Sequence, residues 1–161
     1  MWLFVFVMNL LFLGVYCICP DGWLQYSGSC YMFGHDAVHF TEAEQFCRQH
    51  HNSHLIHVEN MAENAFIKDR LREFKEKAWW IGLTDELAEG MWQWYDTQEI
   101  ANFTDWNPTE PNNNGPGQGQ EDCATFWDIF DFKWADLPCT SKFSPVCEKK
   151  ETTGTCEEII G

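Results

Sequence analysis

The chain has 161 residues and a formal net charge of −15, with 25 acids against 10 bases. One domain is the natural expectation at that length. Nucleic acid is excluded as a partner, because its binding needs Lys and Arg to neutralise phosphates, whereas the acidity suits cations, a mineral surface or plain solubility.

Residues 1–15 are apolar apart from Asn9 and contain no Lys or Arg. The stretch is short for a membrane span, so residues 1–17 read as a cleaved signal peptide rather than an N-terminal anchor. No membrane insertion is expected after cleavage, and the product is expected to be secreted. Val15-Tyr16-Cys17 places smallish residues where cleavage before Ile18 needs them; an earlier cut would retain Cys17. Eight cysteines behind a signal imply an oxidising compartment and a disulfide framework, with 105 pairings open to eight cysteines. If Cys17 leaves with the signal, Cys156 in the polar tail 150–161 becomes the odd thiol. It is then expected to link two copies covalently, or to pair with Cys17 where that residue is kept.

Cys19-Pro20-Asp21-Gly22-Trp23 predicts a turn entering a strand, and Ser29–Phe33 a second strand after the Ser27-Gly28 turn. Thr41-Glu42-Ala43-Glu44 has the form of a capping box and predicts a helix through Cys47 to about His50. A second helix is expected from Asn60, with Glu63 three residues on and Ile67, Leu71 and Phe74 as its apolar stripe. Four later stretches are strand-like: 79–83, 92–95, 123–127 and 145–148. Early helices followed by short strands make an α+β domain. Thirteen phenylalanines and nine tryptophans are ample for its core.

All six histidines fall between His35 and His57, and His50, His51, His54 and His57 invite a zinc reading. The first helix should end near His51, which leaves His54 and His57 on an extended segment. No cysteine or carboxylate completes a tetrahedral set at the usual spacing, so these read as surface or edge histidines. No nucleophile elbow, phosphate loop, His-Glu-x-x-His or dinucleotide fingerprint occurs, and an enzyme is not expected.

From Asn107 to Asp122 the chain has no apolar side chain except proline. A long aperiodic segment inside a compact domain is usually functional or disordered, and Cys123 and Cys139 can clamp its C-terminal side. What it carries is oxygen: Glu110, Asn112, Asn113, Glu121, Asp122 and, past the clamp, Asp136. Calcium takes 6–8 oxygen ligands in flexible geometry, and glycines and prolines let the backbone turn sharply enough to gather them. Asn102-Phe103-Thr104 is a glycosylation sequon, usable at Asn102 in a secreted chain.

Cys19-Pro-Asp-Gly-Trp, Phe46-Cys47, Trp80-Ile81-Gly82-Leu83, Glu110-Pro111-Asn112, Glu121-Asp122-Cys123, Trp134-Ala135-Asp136 and Pro145-Val146-Cys147-Glu148 follow the order of the C-type lectin domain. The resemblance covers residues 19–149, so that 18–149 is expected to form the lectin domain. In its short single-domain form the chain is similar to the perlucin-like lectins of molluscs. The resemblance implies a C-type lectin-like fold: two helices, short antiparallel sheets and a long calcium-binding loop, stapled by Cys19–Cys30, Cys47–Cys147 and Cys123–Cys139. It implies a principal calcium and sugar site on Glu110, Asn112, Glu121 and Asp136, with Ala135 where the family places an Asn ligand. It implies an auxiliary calcium set of Asp85, Glu89 and Asp122, joined by Asn113, and a cis Glu110–Pro111 bond, a small cost for an X-Pro peptide. About two extra residues precede Glu121. The Glu-Pro-Asn order resembles the mannose type, with mannose-type glycans on microbial or cell surfaces as partners in innate defence. The alternative is an acidic structural component of a mineral matrix, on the same fold with an impaired sugar site.

Overall fold

In the computed structural model, which describes residues 19–114 and 120–151, the sheet is built around β4 (Ala78–Thr84), buried along its whole length. Side chains alternate across a strand: Trp79, Ile81 and Leu83 enter one core cluster and Trp80 the other. Gly82 belongs here for a steric reason. A Cβ at that position would meet the Leu55 carbonyl oxygen at 2.6 Å, so only glycine lets β4 come this close to β3 (His54–Leu55).

The remaining strands are β1 (Leu24–Tyr26), β2 (Ser29–Phe33), β5 (Gln93–Trp94), β6 (Cys123–Trp127), β7 (Lys133–Leu137) and β8 (Ser144–Lys150). Their spatial order is β1-β2-β8-β4-β6-β7, with β3 on β8 and β5 on β4. β4 and β8 run parallel while the other pairs are antiparallel. With helices α1 (Phe40–Gln49) and α2 (Met61–Leu71), this is the expected α+β architecture.

The first helix starts earlier than its Thr41–Glu44 pattern predicts. Its N-cap is His39, and Glu42 reaches back to accept the His39 backbone N–H at 3.1 Å. Glu44 turns inward and accepts from Leu55 N (2.8 Å) and Arg48 Nε (2.7 Å). Phe40, Ala43, Glu44 and Cys47 are the buried positions, the i, i+3, i+4, i+7 face of an amphipathic helix. The second helix begins as predicted, since the Asn60 side chain accepts from Glu63 N at 3.0 Å, an N-cap contact.

β7 is a strand that the sequence reading lacks. Its Lys-Trp-Ala-Asp-Leu composition gives no clean alternation; pairing with β6, residue against residue from Cys123↔Leu137 to Trp127↔Lys133, makes it a strand. β8 also runs past the expected domain end, through Lys150, and the Glu151 N–H donates to Gly28 O at 2.9 Å.

Disulfides join Cys19 to Cys30, Cys47 to Cys147 and Cys123 to Cys139. The second ties α1 to β8 inside a core cluster, and the third brackets the β6–β7 hairpin. Cys17 and Cys156 lie outside the described residues.

Candidate functional site

The 107–114 loop lies along the start of β7. Asn107 N donates to Trp134 O at 2.9 Å, and Glu110 N to Asn107 O at 2.8 Å. The Glu110–Pro111 peptide is cis, and the Asn112 amide donates across it to Glu110 Oε2 at 2.5 Å. Two residues beyond Trp134 on β7, Asp136 is buried. Its carboxylate accepts the backbone N–H of Asn112 at 2.9 and 3.1 Å and that of Asn113 at 2.7 Å. One carboxylate of β7 thus seats the turn after Pro111.

Glu121, two residues before β6, faces the same turn: its Oε2 accepts Asn114 N at 2.9 Å, and its own N–H donates to Asn113 Oδ1 at 3.0 Å. Asn113, at φ 48, completes a bridge by donating its Nδ2 to Glu89 Oε2 at 2.6 Å. The 84–90 turn is therefore joined to Glu121 through a single amide side chain. In that turn Asp85 Oδ2 accepts Gly90 N at 2.8 Å, and Asp85 N donates to Asp122 O at 3.2 Å.

The electrostatics of this corner favour a cation. Burial, a hydrogen bond with the Asp136 carboxyl, and the charges of Asp136 and Glu121 push Glu110 up to about 7, against the Asn112 donation. Burial, then the Asp136 charge, raises Glu121 despite the Asn114 N–H. Burial raises Asp85 as well, helped by Glu89 and Asp122 and opposed by Gly90 N–H. Asp85 Oδ1 is a buried oxygen with no hydrogen-bond partner, which buried acceptors rarely tolerate. Carboxylates crowded until their acidity falls, one of them with an orphaned oxygen, fit a hard cation such as calcium.

Glu110, Asn112, Glu121 and Asp136 thus meet around one turn, and Asp85, Glu89 and Asp122 around a second, with Asn113 between them. Glu110 meets the Asp136 carboxyl directly, and the other carboxylates are linked through backbone N–H groups and amides. Among the described residues, metal-ligating atoms gather in threes within 4.8 Å at His54, His57 and Asp96, and at Glu151 with the two sulfurs of the Cys19–Cys30 disulfide, rather than in the loop. Glu86 was missed by sequence reasoning. Although the residue is exposed, partial desolvation of its carboxyl and then the Asp122 charge raise it, which adds an acid to the second turn. Its place in the Thr84-Asp85-Glu86 run was the available signal. Ala135 is fully buried, and its carbonyl accepts from Thr125 Oγ1 at 3.2 Å.

A disulfide-stapled α+β domain whose long polar loop is seated on a strand carboxylate is a carbohydrate-recognition type of architecture. The Lectin C-type domain family matches residues 36–149, and the chain belongs to this family of carbohydrate-binding, non-enzymatic proteins. It is 40% identical to the hepatic lectin of Gallus gallus over 79% of its length and 58% of that protein. Identity is 30% with a perlucin-like protein of Mytilus galloprovincialis, over 80% of this chain and 81% of that one. The cow CD23 carbohydrate-recognition domain, solved in the presence of a GlcNAc2Man3 oligosaccharide, superposes with a TM-score of 0.73 at 30% identity, covering 85% of this chain and 99% of that chain. Several curated relatives are longer: the chain spans only 45% of mouse asialoglycoprotein receptor 1. Among the described residues, no helix is long and apolar enough to cross a membrane.

Proposed function

We propose that this chain is a secreted, calcium-dependent lectin of the mannose type, serving recognition or agglutination in innate defence. The observation that carries this reading is the seating of Glu110-Pro111-Asn112 on Asp136, with Glu121 against the same turn. Glu110, Asn112, Glu121 and Asp136 would hold one calcium ion, and Asp85, Glu89, Asp122 and Asn113 another. Calcium would supply the positive charge that draws in two neighbouring sugar hydroxyls. Glu110 and Glu121 would then accept hydrogen bonds from those hydroxyls while the Asn112 amide donates one. The Glu-Pro-Asn order supports mannose-type glycans over the galactose class, which goes with Gln-Pro-Asp.

The disulfides support an oxidising, extracellular location. Residues 1–17 are proposed as the signal and 18–149 as the lectin domain, with β8 carrying the domain on through Lys150 into what was expected to be the tail, 150–161. Exposed Asn102 is proposed as a glycosylation site. Cys156 is proposed to join two copies, since weak single-sugar binding gains avidity from a second site without new contacts. The deciding experiment is adsorption to mannan-agarose in calcium, followed by elution with EDTA or free mannose. Passage through the column in calcium removes the mannose reading.

The crowded acids give this reading a pH signature. Glu110 has a folded-state pKa above its ordinary value of 4.5, at about 7. Without a cation, the folded state holds a proton that the unfolded state releases, so stability falls as pH rises between those values. Glu121, Asp85 and Glu86 are shifted in the same direction. Calcium competes with those protons, so the calcium-induced rise in Tm is expected to be larger at about pH 8 than at about pH 5.5. The rise corresponds to about 2.7 kcal/mol at a hundredfold excess over Kd. Thermal melts with calcium and with EDTA at both pH values check this, and identical curves would remove metal binding from the account.

Ala135 favours a second reading, the acidic matrix component with an impaired sugar site. A methyl group can neither ligate calcium nor donate to a sugar hydroxyl. A hydrogen bond involving a charged group contributes about 1.5–3 kcal/mol, so binding roughly ten- to a hundredfold weaker than at a complete site is expected, at about 1.4 kcal/mol per tenfold. Ala135→Asn is expected to bind immobilised mannan more tightly and in an EDTA-sensitive way. Its Tm should be measured in parallel, because the position is enclosed. If both proteins bind calcium and neither binds any glycan on an array, the matrix reading takes over.

A further inference from the structure

The histidines read from sequence as surface or edge groups include one that is buried and one, half-exposed His54 on β3, that lies beside it. His57 is buried, and its Nε2 lies 2.6 Å from Asp96 Oδ1. The His54 and His57 rings sit with centroids 4.2 Å apart, and His57 stacks on Trp94 at 4.5 Å with the planes 14° apart. One ligand atom from each of His54, His57 and Asp96 falls within 4.8 Å of the others. The carboxylate that the sequence lacked at zinc-like spacing arrives from the turn after β5, 39 residues beyond His57.

We propose that His54, His57 and Asp96 form a binding site for a divalent transition cation of the zinc class, separate from the oxygen-rich loop. The donors select the metal: two imidazoles and one carboxylate suit zinc, copper or nickel, whereas calcium prefers all-oxygen sets. Ring orientation supports it. His54 Nδ1 lies 2.9 Å from the Leu55 carbonyl oxygen; a carbonyl only accepts, so Nδ1 carries the proton and Nε2 keeps its lone pair for a metal. Metal-ligating histidines are commonly oriented by such an outer contact. The supports are rigid as well. His57 N donates to the buried Glu148 carboxylate at 3.1 Å, and Trp94 N and Tyr95 N donate to Glu99 O and Gly82 O, fixing the turn that carries Asp96.

Zinc–ligand distances near 2.0–2.2 Å put tetrahedral ligand atoms roughly 3.4 Å apart, so binding requires small side-chain adjustments. The cation takes the place of the hydrogen between His57 Nε2 and Asp96 Oδ1. In a neutral imidazole that hydrogen moves to Nδ1, which frees the Nε2 lone pair for the metal without net loss of a proton. Three protein ligands leave a fourth position for water, and Asp96 also borders a cavity of about 430 Å³ with Arg48, Trp94 and Tyr95. Arg48 opposes the cation, with its Nη2 3.5 Å from Asp96 Oδ2, although Glu44 holds the same guanidinium at 2.7 Å.

The test uses the full chain at neutral pH with calcium in excess, so that hard-cation sites are filled before zinc is titrated calorimetrically. One equivalent of zinc is expected to bind and raise the Tm, and cobalt in its place should give the visible absorption of a four-coordinate ion. His54→Gln and Asp96→Asn should each weaken zinc by no less than the roughly 10–100-fold lost with an outer-shell partner. Their zinc-free melting curves establish that they fold. Arg48→Gln should tighten zinc, and His51→Gln should leave it unchanged. Absence of zinc binding by the wild type, or unchanged affinity in folded His54→Gln and Asp96→Asn, overturns the proposal.

Discussion

Cys47→Ser is expected to yield no folded, secreted protein. Cys47 and Cys147 are 100 residues apart in sequence and join α1 to β8, and both are fully buried. Cross-linking the ends of a loop of about a hundred residues removes unfolded-state entropy equivalent to about 4.7 kcal/mol. That approaches the whole stability of a small domain, about 5–15 kcal/mol. The serine variant also leaves a hydroxyl in an apolar cluster, beside Phe40, Leu55 and Trp80, which adds to the loss unless the hydroxyl finds a partner. Cys19→Ser is the contrast. Its bond spans a separation of only 11 residues, so its loss should cost less and leave protein that melts early. Yield in the culture medium and circular-dichroism melts of both variants check this. A Cys47→Ser protein secreted at wild-type yield with a wild-type Tm would show that the core alone holds the fold.

The fold was legible where burial and local chemistry agree. Trp79 to Leu83 is strand-like and almost wholly apolar, and it became the buried β4. Asn60 and Glu63 announced α2 because capping acts over three residues. The α1 start was misplaced because two acids, Glu42 and Glu44, lie within reach of a helix start. Only tertiary contact reveals that Glu44 serves the Leu55 N–H instead. β7 was invisible for a related reason: its strand character comes from pairing with β6, not from its own side chains.

At the site, oxygen content was legible and connectivity was not. Composition marks Glu110, Asn112, Asn113, Glu121, Asp122 and Asp136 as a polar set, but no spacing rule places the Asn112 and Asn113 N–H groups on a carboxylate 24 and 23 residues away. The ligand assignments came from resemblance to a family, and the seating contacts are additional to it. His57 and Asp96 mark the same limit, since a rule based on short ligand spacings cannot see a partner 39 residues on.

Asp136→Ala is expected to cost the most at the proposed sugar site, a hundredfold or greater loss of mannan binding. Asp136 is 2% exposed and accepts backbone N–H groups from both Asn112 and Asn113. Removing its carboxylate leaves those part-buried donors to water and loses hydrogen bonds to a charged acceptor, which contribute about 1.5–3 kcal/mol each. The turn carrying Glu110 and Asn112 then loses its seat, and the proposed calcium set loses one of its three carboxylates. Two such bonds at the low end amount to about 3 kcal/mol, and with a metal ligand lost as well the total passes the roughly 2.8 kcal/mol that a hundredfold represents. The fold should survive, because Trp134 on the same strand remains packed in the core and Cys123–Cys139 still brackets the hairpin. Asp136→Asn separates the two contributions: its amide oxygen can still accept N–H donors but brings no charge to a cation. It should keep a near-normal Tm in EDTA while losing most of the calcium-induced rise. Mannan binding at fixed calcium, with melts in calcium and in EDTA, reads both effects. Undiminished mannan binding by folded Asp136→Ala would place the sugar elsewhere on the domain.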